Sequence, residues 1–191
     1  MLIHILKNIS KFYTIKEIVL IFFYELINFH RLKLSFKKIE VNYKFKNLLI
    51  PTPYYYLKCI QSNLKEKDSI LFDIGCGNGR VLDYFKNNFK YLFGCDNFTN
   101  IKVSKNTYFI KKNFFEINLK KILSIYNYPI YFYLYNPFSP EDFQRFEKKI
   151  ISSNLSQKVF LILHKCDFKP SNKRFFFLKK LSEKSFLYCL R

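Results

Sequence analysis

The sequence predicts an α/β protein with a doubly wound, mostly parallel sheet and an N-terminal helical extension. From residue 68 onward, short apolar runs alternate five times with helical patterns. Three of the four glycines, Gly75, Gly77 and Gly79, fall within five residues, between the first apolar run and the helix after it. Asp96, Asn113 and Asn136 fall at the predicted C-terminal ends of the next strands. That edge of an open α/β sheet is where ligands bind.

The elements follow from periodicity and punctuation. Residues 12–32 read as a helix, with Ile15, Ile18, Val19, Phe22, Phe23, Leu26 and Ile27 at helical spacing. Leu20, Ile21 and Tyr24 fill the other side, so both faces are expected to pack as a cap on the core; a membrane-surface or partner helix is the alternative. Residues 33–50 are rich in Lys and Asn and join this extension, residues 1–50, to the body, residues 51–191. Pro51-Thr52-Pro53 punctuates the chain, with Thr52 expected as N-cap and Pro53 in the first turn of a helix reaching Lys65.

Residues 69–74 form the first predicted strand, followed by the glycines and a helix carrying Val81, Leu82, Tyr84 and Phe85. Strands are expected over 91–95 and 108–110, with room for only an abbreviated helix near 102–105. A helix over 115–126 follows, then a strand over 130–135 ending at Asn136-Pro137-Phe138. Ser139-Pro140 and an acidic first turn open a helix over 141–153. Residues 159–163 read as a strand, and 174–181 and 185–190 as strands around Ser182-Glu183-Lys184, although the Phe175-Phe176-Phe177 piece reads equally as helix.

Composition excludes several classes. The chain has 191 residues, 49% hydrophobic, with 4 Gly and 6 Pro, which argues against disorder or a collagen-like structure. It contains no alanine but 28 Lys, 5 Arg and 24 Phe, the mark of A/T-rich codons. The net charge of +19 therefore reads first as base bias, with lysines scattered in pairs rather than gathered in a stripe. It still attracts anionic partners such as RNA in a salt-dependent way. Five cysteines, an odd number without a CxxC pair, make a poor disulfide framework or zinc site and suggest a reducing compartment. The longest N-terminal apolar run, residues 18–24, is too short to span a bilayer, and no secretory leader is legible. A cytoplasmic protein without integral membrane association is expected.

The glycine loop carries the chemistry. In a composition that disfavours glycine, three in five residues imply a turn with positive φ and a backbone that a ligand approaches closely. The spacing is GxGxG; Arg80 stands where a dinucleotide fingerprint needs its last glycine, and no Gly-Lys-Ser/Thr is present for a P-loop. A tight β–α turn without a ligand is the plain alternative. The segment Phe72-Asp73-Ile74-Gly75-Cys76-Gly77-Asn78-Gly79 resembles the first motif of class I S-adenosylmethionine-dependent methyltransferases, which have a Rossmann-like methyltransferase fold.

That resemblance covers roughly residues 51–165 and implies S-adenosyl-L-methionine as cofactor. It implies that Asp73, Gly75, Cys76, Gly77 and Gly79 hold the methionyl end and that Asp96, 21 residues after Gly75, holds the ribose. Asn113 and Phe114 stand where the family usually places an acid against the adenine amino group; the Asn is a departure, with a carbonyl still able to accept from an amine. Asn136-Pro137-Phe138 resembles the (Asn/Asp)-Pro-Pro-aromatic motif of amino-methyltransferases, with one Pro missing. It implies a nitrogen acceptor, with Asn136 and Pro137 accepting from the target nitrogen and Phe138 stacking on it. The segment Ile50-Pro51-Thr52-Pro53-Tyr54 is similar to a Pro-Thr segment of small lysine methyltransferases, an indicator of protein substrate. His164-Lys165-Cys166-Asp167 ends the fifth strand; its donors do not converge as metal ligands, and His164 reads as a strand-end or site-lining residue. The acceptor itself is not legible. A catalytically inactive module of this fold, binding RNA or a protein partner, is the rival expectation.

Overall fold

The computed structural model describes residues 13–28, 52–64, 67–97, 106–135, 138–166 and 168–191. In chain order these form α1 (Ile15–Ile27), α2 (Tyr54–Asn63), β1 (Ile70–Ile74), α3 (Arg80–Phe85), β2 (Tyr91–Cys95) and β3 (Thr107–Ile110). A 3-10 turn (Phe114–Glu116), α4 (Leu119–Leu123), β4 (Ile130–Tyr135), α5 (Pro140–Ser152), β5 (Val159–His164), β6 (Phe175–Ser182) and β7 (Ser185–Leu190) follow.

The seven strands make one sheet in the order β3-β2-β1-β4-β5-β7-β6. β1 to β5 run parallel, and β7 lies antiparallel between β5 and β6. Strand order reverses between β1 and β4, so the switch point lies where β1 runs into the glycine loop and β4 ends at Tyr135. The central strands β1, β4 and β5 are almost wholly apolar and buried because both of their faces are covered, whereas the edge strand β6 carries Lys179 and Lys180 in an exposed stretch. Ile70, Phe72, Phe132 and Leu134 face one core with Phe114, Phe143 and Phe146. Leu71, Tyr131, Tyr133 and Ile162 face the other with Leu57, Ile60, Val81 and Phe85 from α2 and α3. The period of two along each strand thus sorts the side chains between two helical layers.

Four expectations are corrected. Thr52 does not cap α2: Pro53 is the N-cap and makes no side-chain cap bond. The Thr52 hydroxyl instead pairs at 2.9 Å with the buried Tyr133 hydroxyl, satisfying a polar group that β4 carries into the core. The helix expected over 115–126 breaks into the 3-10 turn and α4, because Asn113 and Asn118 each bond a backbone N–H and start a new element. The first helix starts only at Ile15, where Thr14 and Glu17 form a reciprocal capping box. Finally, α1 does not bury both faces. Glu17 is its buried residue, whereas Ile15, Val19, Phe22, Phe23, Leu26 and Ile27 are exposed. Ile18, Leu20, Ile21 and Tyr24 are half-buried on the inner side, together with two carboxylates: Glu17 accepts from the Tyr56 hydroxyl, and Glu25 accepts from Tyr54 N and pairs with Arg80. The Phe175–Phe177 piece is strand, and β5 reaches His164. The short helix expected near 102–105 lies outside the described residues.

Gly94 on β2 marks a close approach. A Cβ there would meet Leu82 Cδ1 at 2.6 Å and Cys76 Sγ at 2.9 Å. The leucine end can rotate away, but Cys76 is held in the glycine loop. Gly94→Ala is expected to destabilise the protein by about 1–3 kcal/mol, the usual cost of overpacking. Urea unfolding would measure it, and an unchanged midpoint would contradict it.

Candidate cofactor-binding site

The glycine loop folds as its spacing requires. Gly75, Gly77 and Gly79 have φ of 72°, 51° and 79°. This left-handed backbone costs any L side chain energy. Gly75 N and Cys76 N both donate to Cys95 O, at 2.9 and 3.1 Å, tying the loop to the end of β2. Gly79 N donates to Cys76 O at 2.8 Å, and Gly79 itself caps α3 without a side chain. Nothing lies within 4 Å of where a Cβ on Gly77 would stand, so the loop backbone faces open space there.

Asp96 stands beside this loop, directly after β2. Its Oδ2 accepts from Gly77 N at 3.1 Å, and its own N–H donates to Ile110 O at 3.3 Å. Asp73 is the penultimate residue of buried β1, level with Gly94 on β2. Its Oδ2 is buried and has no hydrogen-bond partner among the described residues. Burial first, and the charge of Asp96 second, push its pKa up to about 8. A buried carboxylate without a full set of partners is costly to the empty fold and suits a cationic ligand. Burial, with the nearby carboxylates, also raises the Cys76 thiol. Cys76 is a packing residue against Gly94 rather than a nucleophile.

Asn113 Oδ1 accepts from Phe115 N at 3.0 Å, so this side chain caps the 3-10 turn while keeping a second lone pair. The Phe114 ring is buried among Phe72, Phe132 and Phe146, which leaves its backbone rather than its ring at the sheet edge. The half-buried Phe138 packs at 5.4 Å from Phe115 and 5.8 Å from Phe146. Asn136 and Pro137 lie outside the described residues, as does Asp167. Among the described residues no three His, Cys, Asp or Glu side chains gather as metal ligands, and all five cysteines are free.

Two features beside the site were not legible in the sequence. Arg80, the residue that breaks the dinucleotide spacing, is buried and donates to both Glu25 carboxylate oxygens at 2.9 and 3.0 Å. Its guanidinium also lies 4.7 Å from the Tyr54 ring centroid. The first turn after the glycine loop is thereby bolted to α1. His164 is fully buried, bonded through Nδ1 to Ser185 Oγ at 2.8 Å and surrounded by Tyr56, Tyr133 and Tyr135. Burial, then the charge of Lys165, hold its pKa down at about 3, so it is a neutral core residue. A buried partner on a distant strand leaves no local trace in sequence.

Fold and site together define an α/β protein with a doubly wound, mostly parallel sheet and a glycine loop at the C-terminal end of its first strand, the Rossmann-like class. Solved structures of similar fold include a Streptococcus mutans protein in complex with SAH, at 15% identity over 75% of this chain and 98% of that one, with a TM-score of 0.41. An rRNA methylase from Streptococcus thermophilus is 14% identical over 75% of this chain and 98% of that one, with a TM-score of 0.41. A chain of the fibrillarin/Nop5p complex is 8% identical over 71% and 80%, with a TM-score of 0.47. No protein-family model and no curated protein sequence matches the chain. These likenesses concern fold alone.

Proposed function

We propose that this chain binds S-adenosyl-L-methionine and transfers its methyl group to an acceptor, with a nitrogen as the target that the Asn136-Pro137-Phe138 motif implies. The single observation that carries the reading is the buried, unpartnered Oδ2 of Asp73 on the strand that runs into a loop of three positive-φ glycines, with Asp96 at the adjacent strand end. The residues fit the cofactor: an open backbone cradle at Gly77, and two carboxylates for a ligand rich in positive charge and hydroxyls. The cofactor would supply an activated methyl on a sulfonium. Asp73 and the glycine loop would hold its amino-acid end, Asp96 its ribose, and the Asn113-Phe114 edge its adenine. Asn136, Pro137 and Phe138 would line the acceptor and orient it, so catalysis would rest on proximity and electrostatics. The chain is expected to act in the cytoplasm on a protein, nucleic-acid or small-molecule acceptor.

Isothermal titration of the full chain with S-adenosyl-L-methionine tests the cofactor. Asp96→Ala is expected to weaken binding by roughly 10- to 100-fold, the worth of charge-assisted hydrogen bonds. A folded wild-type sample that takes up no ligand at millimolar concentration overturns the reading. Transfer of labelled methyl to lysate, fractionated into protein, RNA and small molecules, identifies the acceptor. The +19 charge and the engagement of Asn113 Oδ1 by Phe115 N favour one rival, a catalytically inactive module of this fold that binds RNA or a protein partner. Tight, salt-dependent RNA retention without cofactor uptake would select the RNA-binding form.

A further inference from the structure

Helix α1 is apolar on both sides, with Ile18, Leu20, Ile21 and Tyr24 half-buried on the inner one. Its two carboxylates are drawn inward: Glu17 is buried and bonded to Tyr56 and Thr14, and Glu25 is engaged by Arg80 and Tyr54 N. Its outer face carries Ile15, Val19, Phe22, Phe23 and Leu26, which are 55–83% exposed and recur at i, i+4, i+7, i+8 and i+11. Five large apolar side chains in one stripe, two of them aromatic, are more than scattered surface hydrophobics.

Charge selects among the surfaces that could cover this stripe. The first 50 residues hold nine Lys and Arg against three Glu, and two of those Glu are the ones turned inward. Outward, α1 therefore presents apolar side chains and Lys16. Lys165 and Lys184 lie over the Tyr13 ring at its start, at 4.3 and 5.1 Å. A second copy would bring another +19 chain against the first, a repulsive encounter. An acidic soluble partner would answer the charge without requiring five buried apolar side chains. An anionic bilayer answers both: acyl chains for the stripe and acidic headgroups for the cations around it.

We propose that the outer face of α1 docks this protein on an anionic membrane surface, lying in the headgroup plane. The helix has 13 residues, and among the described residues no helix is long and apolar enough to cross a membrane, so docking is peripheral. The inward carboxylates keep α1 attached to the domain while its apolar side stays outward. Glu25 and Arg80 then link the docked helix to the first turn after the glycine loop. The proposal goes beyond the methyl-transfer reading and stands or falls separately from it.

The chain has no tryptophan, so Phe23→Trp in the full-length protein is a lone fluorophore on the stripe. Titration with phosphatidylcholine vesicles containing about 30% phosphatidylglycerol is expected to shift its emission to the blue, and pure phosphatidylcholine vesicles to leave it unchanged. In co-sedimentation, Phe22→Ser with Leu26→Ser is expected to weaken binding to the anionic vesicles by at least about 10-fold. Thermal unfolding checks that the double variant is folded; if it is not, the Trp shift decides alone. A Trp emission that ignores anionic vesicles overturns the proposal. So does a folded double variant that binds them as well as wild type, which would leave charge alone at work. A concentration-dependent dimer abolished by the same substitutions would assign the stripe to a second copy instead.

Discussion

Glu25→Ala is expected to lower the unfolding free energy by about 3 kcal/mol, because it strands the Arg80 guanidinium. That side chain is only 5% exposed, and both bonds it makes to a carboxylate would vanish together. What remains is the Thr52 carbonyl at 3.4 Å and the Tyr54 ring, and Nε has no partner among the described residues even in the wild type. Tyr54 N, at the start of α2, loses its acceptor as well. Breaking a buried pair costs more than replacing it, so the double substitution Glu25→Ala with Arg80→Met is expected to recover most of the loss. Urea denaturation of the wild type, the single variant and the double variant gives the comparison. A single variant within 0.5 kcal/mol (roughly the spread for ordinary surface changes) would show that the pair does not hold α1.

Asp73→Asn is expected to make the protein more stable than wild type, by an amount that grows with pH. In the unfolded chain this carboxyl ionises near the ordinary value of 3.8, whereas the fold pushes it up to about 8. Between those values the native state holds a proton that the unfolded state has released, so raising the pH favours unfolding. Below about 3.8 both states are protonated and there is no penalty; above about 8 the full penalty is present. His164 works in the opposite sense. Its pKa falls from 6.5 to about 3, so the unfolded state takes up the extra proton and stability rises with pH across that window. The His164 contribution is common to both proteins and cancels in their difference. The stability gap is therefore expected to widen by on the order of 3 kcal/mol between about pH 5 and pH 8. Urea unfolding at the two pH values measures it; parallel pH profiles would contradict the assignment. The same variant is expected to lose affinity for S-adenosyl-L-methionine, because the carboxylate that destabilises the empty fold is the one offered to the ligand. Stability gained and binding lost in one variant would mark Asp73 as a residue kept for binding.

Much of this was legible in the chain. The strands at 91–95 and 130–135 lie where their apolar runs lie, because a strand buried on both faces needs an unbroken run and ends where polar residues begin. The positive φ of Gly75, Gly77 and Gly79 was equally readable, since only glycine adopts that backbone freely and the composition otherwise disfavours it. The stretch 115–126 is split rather than one helix because Asn113 and Asn118, which carry no distinctive signal in sequence, each cap a separate short element.

The sequence by itself determined the α/β class, the order of the strands and helices along the chain, and the glycine loop followed by Asp96. All of these follow from local periodicity and from backbone preferences that act within a few residues. The tertiary structure alone decided the rest. It turned Thr52 from a cap into the partner of Tyr133, buried His164 against Ser185, and left Asp73 without a full set of partners. It also placed the carboxylates of α1 inward, against Tyr56 and Arg80, leaving a hydrophobic stripe outside. Desolvation and ion pairing depend on which distant elements meet. A periodic pattern tells which residues share a face of a helix, and only packing tells which face is turned in.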